Sequence, residues 1–318
     1  MNRRDFLLRS GAAVSLGLLT KGPLSAQTPP PAASATTVPV QPPPLVTEFR
    51  PLRRNVGLFT GRGGSIGWLA APDALVAVDT QFPDSAAIFL KDMPGRAGRT
   101  LDAVINTHHH GDHTGGNAVF RPVTKTIVAH ANVPGLMRAR AEADKRTLDP
   151  TMVPDLGFTD GYRQGLGDEA ISARYYGPAH TSGDIVTLFE KANVVHMGDL
   201  MFNRLYPVID RPGGASIRGW VKVLEKVAAE YPKDAIYIFG HGNQKFGAIG
   251  TTADLLVFRD YLSALLAHVD REIKAGQPKE EVVKLENLAG FPDFHVPPGR
   301  GNRLPSNLAV AYDELTSV

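Results

Sequence analysis

Between positions 107 and 117 the chain reads Thr-His-His-His-Gly-Asp-His-Thr-Gly-Gly-Asn, with four imidazoles and a carboxylate inside six residues. On extended backbone His108 and His110 project to one side and can share an ion, whereas His109 points away. Asp112 and His113 follow the freely turning Gly111 and can swing towards a second ion a short distance further on. Left alone, such a cluster repels itself when charged and wastes polar burial when neutral. It also terminates an apolar run, residues 101–106, which a solvated loop does not explain. The chemistry these residue types predict is metal binding. No cysteine occurs in the 318 residues, so the ligands must be His, Asp, Glu or backbone. Zinc ribbons, iron–sulfur clusters and cysteine nucleophiles are excluded.

Three further positions repeat the pattern of an apolar run ending in a potential ligand. His180 lies in Gly-Pro-Ala-His-Thr-Ser-Gly-Asp, Asp199 follows the run 193–197, and His241 follows Ala235-Ile236-Tyr237-Ile238. Ligands at strand ends predict a site at one edge of a sheet. The other histidines read as structural: His196 inside a strand, His130 after a strand, His268 on a helix face and His295 in a proline-rich tail.

The elements that must hold this site alternate along the chain. Apolar runs at 56–60, 66–70 and 74–78 predict strands joined by the turns Gly61-Arg62-Gly63-Gly64 and Ala71-Pro72-Asp73. The glycine-rich turn is no phosphate loop, because no helix-opening Gly-Lys-Ser/Thr follows it. A helix is expected over 85–93, strands over 101–107 and 126–129, and a helix over 133–145. Strands follow at 171–176, 185–190 and 193–197. Trp220, Val223, Leu224, Val227 and Tyr231 recur at helical spacing, as do Leu255, Phe258, Leu262, Leu265, Val269 and Ile273.

With 43% apolar and 21% charged residues, the chain is neither disordered nor collagenous, and it is long enough for a large core. Its formal charge of +2 is concentrated at the start: residues 1–26 carry +3, leaving −1 over the other 292. A nearly neutral body predicts no nucleic-acid partner. Arg3 and Arg4 precede a short apolar run, and Leu24-Ser25-Ala26 offers a small-residue cleavage site. Residues 1–26 therefore read as a Tat-type signal peptide, with the Tat export machinery as a partner and a periplasmic or secreted destination. The apolar run is too short to span a bilayer, so no stable membrane insertion is expected after cleavage. Residues 27–50, with seven prolines, read as an extended linker. Residues 51–318 are expected to form one α/β domain that ends in C-terminal helices.

His-x-His-x-Asp-His at 108–113, followed by His180, Asp199 and His241, resembles the metallo-β-lactamase superfamily over about residues 55–242. The resemblance implies a four-layer αβ/βα sandwich, two mixed β-sheets flanked by helices. It implies His108, His110 and His180 on one metal, Asp112, His113 and His241 on a second, and Asp199 bridging both. Asp79 would brace the metal loop, and Asp112 would also orient the nucleophile. The implied cofactors are two zinc ions, with iron as the alternative. An aspartate at the bridging position, where antibiotic-degrading members carry Cys or Ser, resembles the glyoxalase II and lactonase branches. The implied activity is a binuclear hydrolase that cleaves an ester, thioester or lactone of a small-molecule substrate through a metal-bridging hydroxide. Alternatives are β-lactam hydrolysis at the same site and oxidation by a single iron, as in persulfide dioxygenases. A non-enzymatic metal-binding protein is a third reading, disfavoured by the complete ligand set. Trp68 and residues 201–207 are candidates for pocket lining, although packing is the commoner role. Arg204 and Lys245 are isolated candidates for a substrate carboxylate.

Overall fold

The structure, a computed structural model, describes residues 45–294 and 301–317. The expected signal peptide, most of the proline-rich linker and His295 lie outside these residues. The first sheet has seven strands in chain order: β1 (Glu48–Arg53), β2 (Val56–Thr60), β3 (Ile66–Ala70), β4 (Leu75–Val78), β5 (Ala103–Ile105), β6 (Ile127–His130) and β7 (Leu156–Phe158). Its first four strands pair antiparallel and its last four parallel. After it come β8 (Gly161–Leu166), β9 (Glu169–Tyr175), β10 (Ile185–Phe189), β11 (Val194–His196), β12 (Phe202–Asn203), β13 (Ile236–Ile238), β14 (His241–Gly242) and β15 (Ile249–Gly250). The second sheet runs β15-β13-β11-β10-β9-β8, with β11 and β13 parallel, and β12 pairs with β14 beside it.

The helices that cover the first sheet are α1 (Pro83–Asp92), the short α2 (Gly111–Thr114) and α3 (Asn117–Phe120), and α4 (Val133–Ala143). Those after it are α5 (Ile217–Glu230), α6 (Thr252–Lys274), α7 (Lys279–Val282) and α8 (Leu304–Thr316). The two-residue period of a strand explains the layering. Val76 and Val78 of β4 turn inward with Ile105 and Val128 against Ile171, Ile185 and Phe189 of the other sheet. Their neighbours Leu75 and Ala77 turn outward to Phe89 and Leu90 of α1 and Phe120 of α3. On the far side, Val186, Val195 and Tyr237 meet Trp220 and Leu224 of α5, Phe258 and Leu262 of α6, and Leu308 of α8. This is the expected four-layer αβ/βα sandwich. Strands buried on both faces read as unbroken apolar runs, as these do.

Four differences from the sequence reading have local causes. β1 begins at Glu48, inside the stretch assigned to linker, because Phe49 stacks on Phe59 and Phe89. β5 is shorter than 101–107: after Asn106, whose N–H still donates to the Val128 carbonyl at 2.8 Å, the backbone turns away from β6 to deliver His108. Trp68 is 4% exposed and packs in the outer core, away from the cavity over the candidate site. β8, an edge strand with half its residues exposed, lies outside the strands read from the sequence.

The two sheets meet at the edge where the ligands emerge. Ile185 N–H donates to the Thr107 carbonyl at 2.9 Å, and Ser65 N–H donates to the Gly240 carbonyl at 2.9 Å. α8 holds the other end of the outer layer. Its Glu314, 8% exposed, accepts the Ile217 and Arg218 N–H groups at 2.7 and 2.9 Å and the Ser216 hydroxyl at 3.2 Å. A carboxylate placed there satisfies the unpaired amides that open α5 and complements its dipole. Glu314→Ala should therefore cost about 1–3 kcal/mol of unfolding free energy, the cost of stranding buried donors. Denaturant unfolding checks this, and a change within about 0.5 kcal/mol, the range of a neutral surface substitution, would contradict it.

Candidate metal centre

The candidate ligands gather where strands end or begin. The segment after β5 carries His108 and His110 and, in α2, Asp112 and His113; Asp199 follows β11; His241 opens β14, shortly after β13; and His180 lies in the loop between β9 and β10. Since β10 runs antiparallel to β9 and β11, its start lies at the same edge as their ends. The seven side chains form two groups around Asp199. His108, His110, His180 and Asp199 place one ligand atom each within 4.8 Å of one another, as do Asp112, His113 and His241. Asp199 divides its oxygens between them. Oδ2 lies 3.8 Å from His108 Nε2 and 3.6 Å from His180 Nε2, whereas Oδ1 lies 2.9 Å from His113 Nε2 and 3.4 Å from His241 Nε2.

Outer hydrogen bonds fix which nitrogen of each ring faces inward, a tautomer assignment made from the partners. His113 Nδ1 donates to Asp79 Oδ2 at 2.7 Å. His180 Nδ1 donates to the Val208 carbonyl at 2.9 Å. The Thr107 hydroxyl donates to Asp79 Oδ2 at 2.8 Å and accepts His108 Nδ1 at 3.0 Å. His110 is turned the other way, donating Nε2 to Asp210 Oδ2 at 2.9 Å. The inward atoms are thus three Nε2 lone pairs and, from His110, an Nδ1 lone pair only 3.0 Å from His180 Nε2. Lone pairs converging on carboxylate oxygens need a cation. Buried His108 Nε2 has no hydrogen-bond partner among the described residues, and the donor set fits a metal site.

The charges say the same. Burial and the neighbouring rings hold His108 well below the usual histidine range and His180 down at about 3. Burial opposes charge at His113 and His241 too, but the carboxylates of Asp199 and Asp112 win. They hold His113 well above the ordinary value and His241 at about 9. Burial would raise Asp199, yet His113 and His241 pull it well below the carboxylate range. Without an ion, protons fill its place.

The backbone is committed to this arrangement. Asp79 sits at φ 68°, a region few non-glycine residues occupy, and accepts Thr107 N–H at 2.7 Å as well as its hydroxyl. A Cβ on Gly64 would stand 2.1 Å from the His113 ring, and one on Gly240 2.1 Å from Asp199 Oδ1. The glycine turn read from the sequence therefore packs on a ligand. Thr181, beside His180, is tied by its N–H and hydroxyl to buried Asp184, whose carboxyl burial pushes up to about 8.

A cavity of about 430 Å3 opens over the site, lined by Phe82, Asp112, Phe202, Leu205, Val208 and His241 among others. Phe202 and Leu205 belong to the 201–207 stretch singled out in the sequence. Phe202 also stacks on His241 at 5.3 Å. Arg204 and Lys245 lie elsewhere, paired with Asp254 at 2.8 Å and Asp293 at 3.2 Å. His196 is a core residue, its Nε2 3.3 Å from the Ser65 carbonyl and its Nδ1 accepting Gly198 N–H. Asp210 was missed. It sits in an irregular loop with no strand end or repeat spacing to mark it, yet it orients His110 and lies 3.4 Å from His109 Nε2.

Comparison with known proteins agrees with this geometry. The sequence model of the metallo-beta-lactamase superfamily matches residues 59–241. The type 2 metallo-beta-lactamase of Bacteroides fragilis is 27% identical over 139 residues, 44% of this chain and 52% of that protein. The hydroxyacylglutathione hydrolase of Methylococcus capsulatus is 35% identical over 130 residues, 41% of this chain and 43% of that protein. The chain thus spans about half the length of these curated relatives. A solved metallo-beta-lactamase from Pontibacter korlensis superposes with a TM-score of 0.57 at 17% identity, covering 69% of this chain and 99% of that one, and shares its fold.

Two outcomes follow. Asp210→Ala, which frees the outer nitrogen of His110, should weaken metal binding about 10–100-fold in competition with a chelating dye; unchanged affinity would remove Asp210 from the site. Protonation gives the second. His241, at about 9 when folded against 6.5 ordinarily, contributes stability to the metal-free protein that is complete below pH 6.5 and lost as pH rises through 9. Metal must displace that proton, so binding tightens over the same range. The gap in Tm between metal-loaded and chelated protein should widen from pH 6.5 to 9, and a constant or shrinking gap would contradict the assignment.

Proposed function

The chain belongs to the metallo-beta-lactamase superfamily, and on that premise we propose that it is an exported hydrolase that holds two zinc ions and cleaves an ester, thioester or lactone. The observation that carries this reading is Asp199, whose two oxygens divide between two histidine groups. His108 Nε2, His110 Nδ1 and His180 Nε2 would hold one ion, Asp112, His113 and His241 the other, and Asp199 would touch both. A carboxylate in this bridging role is what sets the ester and thioester reading ahead of β-lactam hydrolysis. The name of the Methylococcus relative, a hydroxyacylglutathione hydrolase, supports the same choice. Export rests on the Arg3-Arg4 pair, the apolar run behind it and the small residues around Ala26.

When bound, zinc would supply a water acidified towards a pKa of about 7 and a positive charge for the developing oxyanion. The protein's own contributions are orientation and exclusion. Asp112 reaches the cavity and places Oδ2 3.2 Å from His241 Nε2. His113 and His241 hold this carboxylate well below its usual range against the effect of burial, so it stays ionised, a hydrogen-bond acceptor that can align the attacking water. Asp79 keeps His113 from rotating. Phe82, Phe202, Leu205 and Val208 give the cavity apolar walls that limit bulk water around the substrate.

Elemental analysis of the mature protein, residues 27–318, purified without added metal or chelator, should find close to two zinc ions per chain. His110→Ala and Asp199→Ala should each lower turnover of an ester or thioester panel about 100-fold or more while circular dichroism is retained. Full activity in either variant would sink the assignment. One iron per chain with oxygen consumption would replace hydrolysis by sulfur oxidation.

A further inference from the structure

Beyond the cavity at the centre, a second lobe of about 350 Å3 opens on its other side and shares with it Phe82, His110, Asp112 and Val208. These four residues stand between the two cavities, so both adjoin the candidate metal centre. The floor of this second lobe is apolar, made by Met137, Leu148 and Met152, and its rim carries Arg140, Asp144 and Arg146. Arg140 belongs to α4, and Asp144 and Arg146 follow its end. Both arginines meet the same carboxylate oxygen: Arg140 Nε lies 3.0 Å from Asp144 Oδ2 and Arg146 Nε 3.5 Å from it. Neither guanidinium uses its terminal Nη groups on a partner among the described residues. Two cations share one anion, both side chains are about half exposed, and each keeps an open pair of N–H donors of the geometry that takes a carboxylate in two parallel hydrogen bonds.

We infer that the α4 lobe is a substrate subsite for an oxyanion carried on an apolar group, so that the substrate is an ester, thioester or lactone with a carboxylate beyond its scissile carbonyl. The inference rests on the hydrolytic reading above. The apolar floor takes the linking group, and the open guanidinium donors of Arg140 and Arg146 take the charge. Asp144 gathers the two arginines and competes with the incoming anion. The opposite lobe, over His241, accommodates the rest of the molecule. Arg62, on that side, is unsuited to the task, since Asp84 already occupies it through two hydrogen bonds of 2.9 Å.

The test compares two zinc-loaded proteins on two substrates. In Arg140→Ala/Arg146→Ala, the KM for mono-4-nitrophenyl glutarate should rise at least tenfold with kcat little altered, whereas kinetics on neutral 4-nitrophenyl butyrate should change less than twofold. Equal losses on both esters, or no loss on either, would overturn the inference. Should the double variant fail to fold, Asp144→Asn decides alone: a lower KM confined to the anionic ester supports the subsite, and an unchanged or higher one overturns it. If the wild-type protein turns over neither ester nor any thioester or lactone of a wider panel, the hydrolytic reading fails separately. Calorimetry with the anilide of glutaric acid, a carboxylate-bearing mimic, then judges the subsite, with at least fivefold weaker binding to the double variant expected and equal binding against it.

Discussion

Two acceptors pointed at each other repel unless something positive lies between them, and this arrangement shapes the whole edge of the molecule. The outer hydrogen bonds of His108, His110, His113 and His180 leave four ring lone pairs aimed inward at Asp199. Each outer partner is in turn held by the fold. Asp79 ends β4 in a left-handed conformation, Val208 and Asp210 sit in one loop, and Thr107 closes β5. Burying so many acceptors together is costly in a folded protein. A cation between these groups would turn their mutual repulsion into attraction, which is why the arrangement fits a metal site.

The parts of this arrangement that were legible in the sequence are those set by local spacing. His108, His110, Asp112 and His113 share a few residues of backbone, so their common direction follows from strand geometry alone. His180, Asp199 and His241 were legible because each interrupts an apolar run, and Asp79 because it ends one. Asp210 carries no such mark: its value depends on how the loop at 208–214 folds back over His110, which no short-range pattern encodes. Arg140 and Arg146 are similar, since helical spacing does not reveal that their donors face a cleft shared with Asp112. α8 did carry a signal, with Pro305 in its first turn and Leu304, Leu308 and Ala311 on one face. β8 carried almost none, because an edge strand with polar faces lacks the apolar run that betrays the others.

The layers also explain why family membership and specificity separate so cleanly in this chain. The candidate ligands hang from strand ends locked between two apolar cores, where a change of one methylene is felt. The walls of the cleft come instead from Phe82 before α1, from β12 and the segment after it, and from the end of α4. Chemistry is thus assigned to the rigid edge and recognition to what overhangs it.

The backbone hydrogen bonds that join Thr107 to Ile185 and Ser65 to Gly240 carry one more implication. Four of the seven candidate ligands precede residue 114 and three follow residue 179, so neither half of the chain owns a complete coordination shell. The centre comes into being only when the two sheets dock, and any breathing of that interface opens it. An ion held there acts as a rivet between the halves: its departure should be slow while the sandwich stays closed, and a molecule that retains it has, by that fact, finished folding.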